Sequence, residues 1–120
     1  MAGITALDFD SPDETRTPEK TRVDVVHAGQ TAVARFELQP GWRWSECIKP
    51  VAGTDSCQAR HVGIVKSGRL KVSHEDGTEI ELGPGQVYTI EPGHDASVEG
   101  DEPFVSFEFE QRAAEEYARG

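Results

Sequence analysis

From Arg22 onward the apolar positions fall in short runs bounded by turn formers, with no helical spacing until the tail. "RVDVVHA" and "TAVARFEL" are rich in β-branched residues and partly alternating, and Gly29-Gln30 separates them. "RWSECIK", "HVGIVKSG", "RLKVSH", "TEIEL", "QVYTI", "ASVEG" and "FVSFEFE" follow at short intervals, flanked by Gly, Pro or Asp. Such runs predict strands, because alternate side chains of a strand face opposite sides of a sheet. Asp76-Gly77 within "HEDGTE" predicts a hairpin with a tight type I′ turn. A 3.6-residue period shows only in "QRAAEEYAR", which predicts one short closing helix. Eight or nine short strands joined by tight turns predict an all-β jelly-roll β-barrel.

Residues 1–20 ("FDSPDETRTPEKT" and its lead-in) are polar, contain proline and lack periodicity, so they read as a flexible N-terminal arm, poorly ordered or packed on a partner. Residues 21–120 form a single domain of adequate size for a core. The 120 residues carry 22 acidic and 12 basic side chains, a net charge of −10. That balance argues against a nucleic-acid partner, which needs a basic face to replace counterions. No stretch has the length and apolarity of a membrane span or a signal peptide, so the expected location is cytoplasmic, with no membrane partner. In that compartment Cys47 and Cys57 are thiols or ligands before they are a disulfide. The segment from Arg43 to Lys71 runs against the overall charge, with Arg43, Lys49, Arg60, Lys66, Arg69 and Lys71 against Glu46 and Asp55. A local positive field of this kind attracts a small anionic ligand, unless its members are only solvated strand-face side chains.

Two stretches carry the candidate chemistry: "PGWRWSECIKPVAGTDSCQARHVGIVKSGRL" and "GPGQVYTIEPGHDASVEGDEP". Over residues 36 to 110 the chain resembles the small single-domain cupins, whose fold is a double-stranded β-helix. Their first motif is Gly, five residues, His-x-His, a short gap, Glu, six residues, Gly. Gly41 followed after five residues by Cys47-Ile48-Lys49 resembles its opening, and His61 followed after six by Gly68 resembles its close. "PVAGTDSC" then reads as a loop insertion. The second motif is Gly, five residues, Pro-x-Gly, two residues, His. Gly85 and the following "QVYTIEPG" resemble it, with Glu91 at the usual proline, Ala96 at the usual histidine and His94 two residues earlier. A two-residue offset keeps a side chain on the same strand face.

The resemblance implies a barrel-interior metal held by Cys47, His61 and His94, with Cys57 as a fourth donor or a redox partner. A thiolate and two imidazoles suit Zn²⁺ and also accept Fe, Ni, Mn or Cu. Alternation from Cys47 predicts Arg43, Ser45 and Lys49 on the pocket side, and Gly63 beside His61 leaves room there. Tyr88 offers a hydroxyl near the second motif. Asp95 is expected to bond a nearby backbone amide or orient a histidine. The functions implied are three: an isomerase, cyclase or lyase using the metal as a Lewis acid on a small molecule; a non-catalytic binding cupin; or a dioxygenase. Small cupins pair through their sheets, so the resemblance also implies a homodimer.

Overall fold

The computed structural model describes residues 3–54, 56–57 and 60–109, so the tail expected to form a helix lies outside the described residues. Nine strands and two short helices run in the order β1 (Glu14–Arg16), β2 (Thr21–Ala28), β3 (Thr31–Leu38), α1 (Trp44–Cys47), α2 (Lys49–Ala52), β4 (His61–Ser67), β5 (Arg69–His74), β6 (Glu79–Leu82), β7 (Val87–Ile90), β8 (His94–Glu99) and β9 (Phe104–Glu108). They make a six-stranded sheet, β1-β2-β3-β9-β4-β7, and a three-stranded sheet, β6-β5-β8. Every described pairing is antiparallel.

The expected alternation is what stacks the sheets. Ala32, Ala34, Phe36 and Leu38 turn inward on β3, as do Leu70 and Val72 on β5 and His94, Ala96 and Val98 on β8. The main core cluster joins Leu38, Val65, Tyr88 and Phe104 of one sheet to Leu70, Val72, Leu82 and Val98 of the other. Each large apolar side chain so buried contributes roughly 1.5–3 kcal/mol.

Three expectations are corrected. "RWSECIK" is helical, not a strand: Cys47 N–H bonds Arg43 O at 2.9 Å and Ile48 N–H bonds Trp44 O at 2.9 Å. The buried members are Trp44, Cys47 and Ile48, which sit at i, i+3 and i+4 and so form a helical stripe. Over so short a run that stripe is easily taken for alternation. The hairpin at Asp76-Gly77 forms but is not type I′, because only Gly77 has positive φ (+94°). Gly77 N–H bonds His74 O and His74 N–H bonds Thr78 O, which is a type I turn closed by a left-handed glycine. Part of the predicted arm is sheet: β1 pairs with β2, Asp13 holds the His27 amide, and Phe9 stacks at 5.7 Å on the outward ring of Phe107.

Gly68 joins β4 to β5 at φ +81°, and a Cβ there would lie 2.4 Å from Pro103 O and 2.7 Å from Phe104 Cα. Both neighbours are backbone and cannot swing away. Gly68→Ala is therefore expected to cost about 2–4 kcal/mol in a urea melt, well above an ordinary surface substitution. Gly29→Ala, at a positive φ with open space, gives the smaller reference loss.

Candidate metal centre

His61 is the first residue of β4, and Gly63 and Val65 share its inward face, as the alternation predicts. His94 is the first residue of β8 and shares the inward face of Ala96. Cys57 lies in the connection between α2 and β4, clipped to β8 by its backbone: its N–H bonds His94 O at 2.7 Å, and its carbonyl accepts from Gly93 N–H at 2.7 Å. The result is a buried cluster in which one ligand atom each of Cys57, His61 and His94 lies within 4.8 Å of the others. Cys57 Sγ is 3.6 Å from His61 Nε2, and the two imidazole rings meet edge to face at 5.1 Å.

The corner before His94 is held from several sides. Gly93 takes φ +97°. His74 accepts the Asp76 amide on Nδ1, so its Nε2–H donates to Pro92 O at 2.8 Å. Glu75 N–H bonds Gly93 O, and Arg60 pairs with Glu91 at 3.1 Å. His94 then donates Nδ1–H to Glu91 O at 2.8 Å, which turns Nε2 toward the cluster.

His61 is fixed by a residue that the sequence reading missed. Glu108, the last residue of β9, meets His61 Nδ1 at 2.6 Å with one oxygen and accepts Tyr88 Oη–H at 2.7 Å with the other. The His61 and Glu108 side chains are only 4% and 7% exposed. Gly63 makes the seat possible, since a Cβ there would approach Tyr88 Oη to 2.8 Å and Glu108 Cγ to 2.9 Å. The signal for Glu108 was its phase: Phe104, Ser106 and Glu108 alternate on one buried face, and an inward carboxylate needs a buried partner. Ser106 Oγ beside them is buried without a well-formed hydrogen bond. A cavity of about 30 Å³, room for a water or two, lies among His61, His94, Tyr88, Ser106 and Glu108 under apolar walls from Trp42, Trp44 and Phe104.

This packing sets the charges. Burial pushes the Cys57 thiol up, but hydrogen bonds and charge from His61 and His94 outweigh it and bring it down to about 6. Burial disfavours the His61 imidazolium, yet the Glu108 carboxylate, with Cys57, raises it to about 10. The Tyr88 phenol is pushed far above its ordinary range by burial and then by Glu108, against a weaker contact with Ser106, so its proton stays on oxygen. Both shifts run in the direction that favours, near neutral pH, a Cys57 thiolate beside a His61 imidazolium backed by a carboxylate, and the thiolate is the form that binds metal.

Of the expected site residues, the structure gathers Cys57, His61 and His94, and brings Gly63 and Tyr88 to their border. Cys47 does not join them: α1 turns its Sγ toward Glu19 Oε2 at 3.7 Å, and burial first raises its thiol. The spacing also offered Cys57, since three residues separate it from His61, a gap as short as the motif's. Arg43, Ser45 and Lys49 lie on or beside α1 and α2 and do not line the cavity. Arg43 is exposed, and Ser45 N–H bonds Asp95 Oδ1 at 3.2 Å, so Asp95 serves a backbone amide and not a histidine. The basic stretch is not presented to the cavity either. Arg69 pairs with Glu81 and Lys71 with Glu79 across the outer face of β5 and β6, and no lysine or arginine lines the cavity among the described residues.

No protein-family profile and no curated protein matches the sequence. Solved structures do match. A protein of unknown function from Rhizobium leguminosarum bv. viciae 3841 is 20% identical over 90% of this chain and 96% of its own, with a TM-score of 0.64. An uncharacterised protein with a double-stranded β-helix domain from Klebsiella pneumoniae is 21% identical over 91% and 89%, at 0.54. A cupin-2 domain protein from Rhodospirillum rubrum is 15% identical over 88% and 66%, at 0.56. Among the described residues no helix is long and apolar enough to cross a membrane.

The cluster's charge state is open to titration. In metal-free Cys47→Ser protein, thiolate absorbance at 240 nm is expected to rise around pH 6, thiol below and thiolate above. Adding His61→Gln removes the strongest support for the anion, and the rise moves to about pH 8.5 or higher. A midpoint near 8.5 in both proteins contradicts the ion pair.

Proposed function

Since the chain is a double-stranded β-helix of the cupin fold, we propose that it holds one divalent transition metal, Zn²⁺, on Cys57, His61 and His94 and acts on a small molecule. The convergence of these three buried donors is the observation that carries the reading. The donor set fits the metal chemically: one thiolate and two imidazoles are three of the four ligands of a tetrahedral zinc, leaving one position for water or a ligand. Bound there, Zn²⁺ supplies Lewis acidity toward a carbonyl or hydroxyl oxygen.

The chain's own residues do the rest. Glu108 keeps the proton on His61 Nδ1, so that Nε2 presents its lone pair, and its charge makes that nitrogen a stronger donor. Tyr88 commits its proton to Glu108 and so completes the carboxylate's bonding. Ser106 Oγ, otherwise unsatisfied, is placed to bond a polar atom in the cavity. Trp42, Trp44 and Phe104 keep bulk water out, which strengthens every charge interaction inside. Among the described residues no lysine or arginine lines the cavity, so an oxygen there would be met by the metal and the Ser106 hydroxyl, which supports isomerase, cyclase or lyase chemistry on a small oxygenated molecule. The cavity's small volume favours one second reading, a metal-holding binding protein without turnover.

Protein purified without chelators is expected to contain about one equivalent of metal by elemental analysis. Cys57→Ser and His61→Ala lose most of it and Cys47→Ser keeps it. Glu108→Gln, which retains shape but not charge, weakens zinc affinity about 10–100-fold in a competition titration. Metal-free parent protein, or loss in Cys47→Ser with retention in Cys57→Ser, overturns the assignment.

A further inference from the structure

The cavity beside the cluster has room for water but not for a substrate. A much larger groove, about 360 Å³, lies next to it along β6 and β7. Among the described residues each of these strands is an edge of its sheet, so the stack is open between them. Ile90 lines both spaces. It sits opposite His61 in the β4–β7 ladder, and partners across an antiparallel pair share a face, so its side chain stands beside the imidazole.

The groove also holds an apolar side chain in phase with the core yet uncovered. Ile80 pairs with Val72 and shares its inward face, but is 53% exposed, and among the described residues no strand continues the sheet beyond β6. Leu82 and Val72 extend this apolar floor, and Thr78 and Thr89 supply hydroxyls at its rim. Its carboxylates already have partners: Asp76 accepts the Thr78 amide at 2.8 Å, and Glu91 pairs with Arg60 at 3.1 Å. No lysine or arginine lines it among the described residues. An anion entering the groove would give up water for no opposite charge, and a cation would meet only two exposed, water-screened carboxylates that already hold partners. An apolar body with a hydroxyl or carbonyl instead matches floor and rim.

We propose that this groove is the antechamber of the barrel site, that it takes a small uncharged molecule with an apolar body and an oxygen head, and that Ile90 is the partition between it and the interior. The inference rests on the proposed site for its purpose but not for its test. In metal-free, ¹⁵N-labelled protein, cyclohexanol is expected to shift the Ile80, Thr89 and Glu91 amides saturably, and to bind about threefold or more tightly than butyrate or butylammonium. In Ile90→Ala the shifts spread to Gly63 and Ser106, on the inner side of the partition. Ile90→Val, a smaller cut, shows the same trend if the alanine variant does not fold. No saturable shift, equal binding of the ions, or shifts confined to the groove in the folded variants overturns it. Failure of the parent to take up zinc removes the metal reading and leaves these shifts standing; their absence in protein that does hold zinc removes the antechamber alone.

Discussion

A carboxylate in a protein interior must be matched, and the matching of Glu108 organises this one. Its two oxygens are divided between His61 and Tyr88, which stand on β4 and β7, while Glu108 itself ends β9. One buried charge therefore ties three adjacent strands of the six-stranded sheet together at the point where the other sheet brings His94. Leaving such a charge without its partners costs several kcal/mol. The register that satisfies it is also the register that aims His61 Nε2 into the barrel. Gly63 is the small residue that makes room for this arrangement.

The second half of the site depends on backbone instead. Cys57 is placed by main-chain bonds to Gly93 and His94, and the Pro92-Gly93 corner is placed by His74, Glu75 and the Arg60–Glu91 pair. These groups touch no ligand. They hold the loop before β4 against the start of β8, so that a sulfur and an imidazole from distant parts of the chain face the same point. Stiffness at the corner and charge balance at Glu108 act on opposite sides of one cluster.

The jelly roll also leaves something open. Among the described residues one edge strand of each sheet, β6 and β7, lies along the groove that Ile90 separates from the cluster. Edges of this kind usually invite pairing with another chain. Here the opening is floored by apolar side chains and rimmed by hydroxyls and by carboxylates that already hold partners, which suits a small occupant.

Much of this was legible along the chain. Short alternating runs and turn residues located the strands, because alternation is a local consequence of the pleat. The same rule put His61, Gly63 and Val65 on one face, and His94 on the face of Ala96. It failed at "RWSECIK", where Trp44, Cys47 and Ile48 pack as a helical stripe too short to be told from alternation. It was not applied to Glu108, although Phe104 and Ser106 set its phase. Which cysteine meets the histidines, and that Arg69 and Lys71 face glutamates across β6 instead of the cavity, were matters of chain path and register. Neither is a property of neighbouring residues. Most strands and their inward faces could be read along the chain, because those follow from each residue and its neighbours. Which inward groups converge could not, because convergence depends on where strands far apart in sequence are laid side by side.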